Sequence, residues 1–238
     1  MTVRIRRVTT TRAGGVSASP YDSFNLGDHV GDDPAAVAAN RKRLGEAIGL
    51  GADGIVWMNQ VHSSNVAVID DSWKAGGDPI DKTDALVTTR RRLALAVVTA
   101  DCVPVLLADA RAGVVAGAHA GRVGAQNGIV VRTVEAMQSL GARVEDISAL
   151  LGPAVSGRNY EVPAAMAAGV ESALPGSRTT TAKGTPGLDL RAGIARQLTT
   201  LGVTAIDVDP RCTVADVNLF SHRRGAPTGR LASLVWME

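Results

Sequence analysis

LALAVVTADCVPVLLADARAGVVAGAHAG, from Leu93 to Gly121, is the stretch on which the fold turns. Its three apolar runs, LALAVVT, VPVLLAD and GVVAGAH, have strand length and are rich in valine and leucine. The turns between them are too short for helical crossovers, which argues against an all-parallel doubly wound sheet. The first run stops at Thr99, and Ala100, Asp101 and Cys102 interrupt it before Pro104 stiffens the restart.

Outward from this stretch, VRIRRV near the start alternates as a strand does, and TDALVTT, VTAIDVD and the final LASLVWM are further strands. GIVWMNQVHSSNVAVID reads as two short strands joined around Ser63, Ser64 and Asn65, with His62 at a strand end. Asp33 followed by Pro34 is a helix start, an N-cap and a first-turn proline, and Val37, Asn40 or Arg41, Leu44 and Ile48 follow at helical spacing. Ile129, Thr133, Met137 and Leu140 continue another helix, and Pro163 and Asp189 open two more. Gly176 to Gly187 reads as a mobile loop. Strands clustered centrally, with helices between some of them, predict an α/β (α+β) chain with a mixed β-sheet flanked by helices, in one domain over residues 1–238.

Composition narrows the function classes. The net charge is +2 with basic residues spread along the chain, which argues against a nucleic-acid partner. The longest apolar stretches are cut by Asp101 and Asp109, far short of a membrane span. The N-terminal residues lack an apolar core of signal-peptide length, and two cysteines make no disulfide framework, so a cytoplasmic home is expected. Aromatic residues are only 3% of the chain, so Ala, Val, Leu and Ile must build the core.

The chain has four histidines, His29, His62, His119 and His222. His62 and His119 each close an apolar run, and Cys102 sits where another ends. Residues at strand ends can meet at one sheet edge, where open α/β sheets place ligands. Two imidazoles and a thiolate match a catalytic zinc site with an open fourth position. Taken on spacing alone, they fit ordinary buried or hydrogen-bonded residues better than a metal site. His29 reads as a loop residue and Cys212 as a buried filler.

The segments GGVSASPYDSFNLGDHVGDDP, NQVHSSNV, TADCVPVLLAD, GAHAG, LGPAVSGRNYEV and FSHRRGAPTGRLASLVW resemble, in order and spacing, the YfiH-type family, long labelled polyphenol oxidase or laccase. The resemblance runs over nearly the whole chain. It implies a mixed sandwich similar to the catalytic domain of cytotoxic necrotizing toxins. It also implies purine nucleoside phosphorylase activity, with adenosine deaminase and methylthioadenosine phosphorylase activity, and a zinc held by His62, Cys102 and His119. Where members of the family read His-Ala-Gly-Trp-Arg-Gly, this chain has His119, Ala120, Gly121, Arg122, Val123 and Gly124. Ser156 to Tyr160 replaces the family's cysteine-containing segment.

Under this reading zinc activates a water and Asp101 moves protons, as zinc deaminases require of a carboxylate that is not a ligand. Cys102 and His119 count among the catalytic residues. Asn25, Arg122, His222 and Arg224 are the expected substrate contacts, for a purine nucleoside and inorganic phosphate. Arg122 opens a turn where strand meets helix and backbone N–H groups face an anion. A monomer is expected. Blue-copper plus trinuclear copper chemistry needs more histidines than four, which excludes a laccase. Two other readings use the same residues: a metal-free amide hydrolase, acting on a cell-wall precursor or another amide with Cys102 as nucleophile and His119 as base, and a nucleoside-binding partner protein without turnover.

Overall fold

Every residue of Ala94–Thr99, Val103–Asp109 and Val114–Ala120 is buried, so each of these strands must be covered on both faces. The computed structural model, which describes residues 2–238, shows what covers them. In chain order the elements are β1 (Ile5–Thr9), α1 (Pro34–Ala47), β2 (Ile55–Val56), β3 (Val66–Val68), β4 (Ala85–Thr88), β5 (Ala94–Thr99), β6 (Val103–Asp109) and β7 (Val114–Ala120). They continue with α2 (Arg122–Gln126), α3 (Ile129–Ser139), β8 (Ile147–Leu151), α4 (Ala164–Ala173), β9 (Arg178–Thr180), β10 (Pro186–Leu188), α5 (Leu190–Leu201), β11 (Ala205–Val208) and β12 (Leu231–Met237).

Two mixed sheets carry the fold, one ordered β1-β12-β5-β2 and the other β11-β8-β6-β7-β4-β3. Alternation along each strand decides which layer a side chain joins. Leu95 and Val97 of β5 and Val235 and Met237 of β12 meet Leu86, Leu106 and Val115 between the sheets. The intervening Ala94, Ala96, Val98, Leu234 and Trp236 face outward onto Leu44 of α1 and onto Phe24 and Leu26 of the loop before it. On the far side, Val105, Leu107, Val114 and Ala116 pack against Ile129, Val134 and Met137 of α3 and Ile194 and Leu198 of α5. The result is four layers, helix, sheet, sheet, helix. The sheets approach closely at Gly117, where a Cβ would lie 3.1 Å from Cγ2 of Val97.

The helix starts follow their sequence signals. Asp33 accepts from the Ala35 N–H at 2.9 Å with Pro34 in the first turn, and Asp189 accepts from Ala192 at 3.1 Å. Gly202, at φ 101°, ends α5 in the left-handed region that favours glycine.

Two expectations are corrected. The runs around Ser63–Asn65 do not pair with each other: β2 joins the first sheet beside β5, and β3 joins the second beside β4. His62 therefore lies in a connection between sheets, at φ 59°, and not at a strand end. The segment 176–187 is no open loop. β9 and β10 pair antiparallel from Arg178↔Leu188 to Thr180↔Pro186, and Thr181 and Thr185 bond across the turn at 2.6 Å.

The interruption after Thr99 has a topological cause. β5 belongs to one sheet and β6 to the other, so Ala100–Cys102 is the corner where the chain changes layer. Asp101 takes φ 102° there, unusual for a residue with a side chain.

Candidate metal centre and cavity

Two connections and one strand meet at this end of the sandwich. The corner brings Cys102, β7 brings His119 in register with Pro104, and the β2–β3 connection brings His62. One ligand atom from each lies within 4.8 Å of the others, and Cys102 Sγ is 3.8 Å from His62 Nε2. Tetrahedral coordination with bonds of about 2.0–2.3 Å separates ligands by roughly 3.3–3.8 Å, so small rotations close the set around one ion. The cluster could hold a metal ion.

A buried carboxylate organises the cluster. Asp84, the residue immediately before β4, is fully buried, and its Oδ1 lies 2.8 Å from His119 Nδ1. It also accepts from the backbone N–H groups of Val61, His62 and Ser63 and from the Ser63 hydroxyl. One side chain thereby fixes the His62 loop and turns the other ring nitrogen of His119 toward Cys102, the support usual for a metal-bound imidazole. Burial pushes the Asp84 carboxyl up, but the bonds from His119 and Ser63 outweigh it and bring it to about 2.

The thiol and imidazole act on each other in the same way. Burial raises the Cys102 thiol, while the charge of His119 and hydrogen bonds from both imidazoles lower it to about 6. Burial lowers His119, while Cys102 and Asp84 raise it to about 9. At neutral pH the metal-free pair is a thiolate and an imidazolium, and a metal would displace the proton.

Gly121 adds a steric argument. A Cβ there would meet His62 Cδ2 at 2.7 Å and Cys102 Sγ at 3.0 Å, so only glycine lets both ligands close over the chain.

The cluster forms part of the wall of a cavity of about 310 Å³. His29 and His222 line it too, so all four histidines meet here; His29 is a cavity residue as well as a loop residue. Arg122 lines it at the first position of α2, after Gly121, as the strand-to-helix turn predicts. Apolar surface comes from Val98, Val155 and Leu190.

Other expected site residues serve the scaffold. Asp101 borders the cavity, but its Oδ1 accepts from the hydroxyls of Thr213 at 2.5 Å and Ser221 at 2.7 Å, and its Oδ2 from the Arg223 N–H at 2.7 Å. These bonds hold the corner in its left-handed turn. Arg224 faces away, donating to the carbonyls of Thr213, Asp216 and Leu219, while its neighbour Arg223 lines the cavity. Asn25 is buried, donating to Gly27 O and Asp32 and accepting from the N–H groups of Gly27 and Arg230. It shapes the loop that carries His29. Cys212 is half-buried and accepts from Ser156 N at 3.3 Å and Asn159 Nδ2 at 3.5 Å.

Asp84 escaped the sequence reading. The signal for Asp84 was a carboxylate leading directly into the apolar run ALVT, where an acid needs buried partners.

The family model described as multi-copper polyphenol oxidoreductase laccase matches residues 6–238. A Mycobacterium tuberculosis protein named purine nucleoside phosphorylase is 74% identical over 238 residues, covering 100% of this chain and 94% of its own length. A protein of the same name from Corynebacterium glutamicum is 61% identical, covering 98% and 94%. The crystal structure of a Bacillus licheniformis hypothetical protein, YfiH, superposes with a TM-score of 0.90 at 29% identity, covering 98% of this chain and 93% of that one.

Proposed function

Because the chain belongs to the YfiH-type family, we propose that it is a zinc-dependent purine nucleoside phosphorylase with adenosine deaminase and methylthioadenosine phosphorylase activity. The observation that carries this reading is the convergence of His62, Cys102 and His119 on the wall of a cavity of about 310 Å³, within the range of small-ligand pockets. Zinc is the metal of choice because a thiolate and two imidazoles suit it better than they suit magnesium or calcium. When bound, it supplies Lewis-acid polarisation at its open position.

The chain's own residues do the rest. Asp84 holds the proton on Nδ1 of His119 and keeps that ring oriented. Val98, Val155 and Leu190 give the flat faces of a purine an apolar surface, and the cationic side chains attract phosphate. In phosphorolysis a phosphate oxygen bonds to C1′ of the ribose as the C1′–N9 bond breaks. The purine leaves with that electron pair and takes up a proton, giving free base and ribose 1-phosphate.

The family model's description points to copper oxidation, but four histidines in the whole chain cannot furnish a blue-copper site and a trinuclear cluster. The two free cysteines fit a cytoplasmic protein, and we favour a monomer.

One observation favours a second reading. Cys102, His119 and Asp84 also form a thiolate–imidazolium–carboxylate series suited to amide hydrolysis. It leaves His62, 3.8 Å from the sulfur, without a task. Purified protein incubated with adenosine, inosine or methylthioadenosine, with and without phosphate, tests the proposal. Free base and ribose 1-phosphate (its 5-methylthio form from methylthioadenosine), with ammonia from adenosine, are expected, together with about one zinc per chain that is lost in Cys102→Ala. No product under any condition, or full activity without metal, overturns it.

A further inference from the structure

Several arginines of this chain pair with carboxylates: Arg12 with Asp22, Arg41 with Asp28, Arg211 with Asp209. Arg122 and Arg223 form no ion pair among the described residues, yet both line the cavity. They converge on one side chain. The Arg122 guanidinium lies beside the Tyr160 hydroxyl, and the Arg223 guanidinium carbon sits 5.0 Å from the centre of the Tyr160 ring.

Their donors remain available. Arg223 spends Nη1 on the Glu161 carbonyl at 3.1 Å, leaving the other N–H groups of its fork. Arg230, the third arginine of the wall, differs: its Nη1 donates to the carbonyls of Thr228 and Gly229, and its stem occupies the space beside Gly27. The only carboxylate among the lining residues is Asp101, already hydrogen-bonded through both oxygens. Uncompensated guanidinium forks facing a shared hollow favour a tetrahedral oxyanion, which each can meet with two parallel bonds.

We infer that Arg122 and Arg223, spaced by Tyr160, form the seat of a phosphate dianion beside the His62–Cys102–His119 cluster. This rests on the reading that the cavity takes a nucleoside together with phosphate, and it assigns the anion's place within it. Tyr160 is a positioning residue, with its ring face against the Arg223 guanidinium and its hydroxyl beside Arg122.

Calorimetric titration of the metal-loaded protein with inorganic phosphate, with adenosine and with adenosine 5′-monophosphate tests the assignment. Arg122→Gln and Arg223→Gln each weaken inorganic phosphate by about tenfold or more, the scale of a lost charge-assisted pair, and leave adenosine within about twofold. Tyr160→Phe, which keeps the ring and removes the hydroxyl, weakens phosphate by a smaller factor. Melting temperatures confirm that each variant folds. Unchanged phosphate affinity in both arginine variants, equal loss of phosphate and adenosine, or a wild type that ignores inorganic phosphate overturns the assignment. Binding of adenosine 5′-monophosphate alone through these arginines overturns inorganic phosphate as the occupant. A wild type that binds phosphate here yet cleaves no nucleoside refutes the phosphorylase reading and leaves the seat standing.

Discussion

Asp84 and His119 are bonded twice: the carboxylate of Asp84 lies 2.8 Å from His119 Nδ1, and its main-chain carbonyl accepts the His119 N–H at 2.7 Å. The ring is thus fixed at both its base and its edge. Replacing Asp84 by Asn keeps the shape and removes the charge. Metal affinity measured by chelator competition should fall about 10–100-fold, the usual effect of losing the group behind a ligand imidazole.

The same carboxylate sets an acid limit in the metal-free protein. Its folded value, about 2, lies below the usual 3.8, so its contribution is fully present above about pH 4 and is lost as pH falls toward 2. The contribution is about 2 kcal/mol. Urea unfolding at pH 5 and pH 2.5 should show Asp84→Asn losing less stability than wild type over this interval. Equal loss in both would contradict the bonding described.

Cys102 should behave as a thiolate at neutral pH once metal is removed. In a Cys212→Ser background, the rate of iodoacetamide alkylation should rise through about pH 6, where an ordinary thiol is still protonated. Restoring the metal should suppress the reaction. A rate that rises only above pH 8 would show that His119 does not support the thiolate.

Gly121→Ala places a methyl group against His62 and Cys102 together. We expect metal affinity to fall by roughly tenfold or more, as for other lost ligand supports, with the thermal transition of the metal-free protein nearly unchanged. Metal analysis after dialysis reads the first effect and calorimetry the second.

Thr99 closes β5 with a hydroxyl that has no hydrogen-bond partner among the described residues, in a residue only 2% exposed. Thr99→Val keeps the shape and removes the orphaned group, so the variant should be more stable by about 1 kcal/mol. A lower melting temperature for the variant would show that the hydroxyl has a partner in solution.

Much of this was legible in the residues. The apolar runs gave β5, β6 and β7 their bounds, and Asp33-Pro34 placed α1, because these signals are local. Which sheet a strand joins is not local. β5 and β6 follow one another closely and look like a hairpin, and only the opposed layers of Val97 and Leu106 reveal the crossing. His62, Cys102 and His119 were recognisable as ligand types, while Asp84, which ties the His62 loop to His119, bonds to residues more than twenty positions away. Arg224 and Asn25 were plausible contacts by charge and polarity, but their bonds go to nearby carbonyls and N–H groups, a fate decided by loop geometry. The hairpin of β9 and β10 was hidden by its glycines and threonines, residues that serve turns and strands alike.

The place of β12 has a consequence for how the molecule is made. It lies between β1 and β5, so the first sheet gains its central strand only after every other element has been synthesised. Until residues 231–237 emerge from the ribosome, β1 has no neighbour and β5 keeps an open edge. The nascent chain therefore carries two unpaired edges through most of its synthesis, a state in which strands invite pairing with other chains. That layer can close only once residues 231–237 are available, and translation interrupted before them leaves a chain for chaperones or proteases to clear.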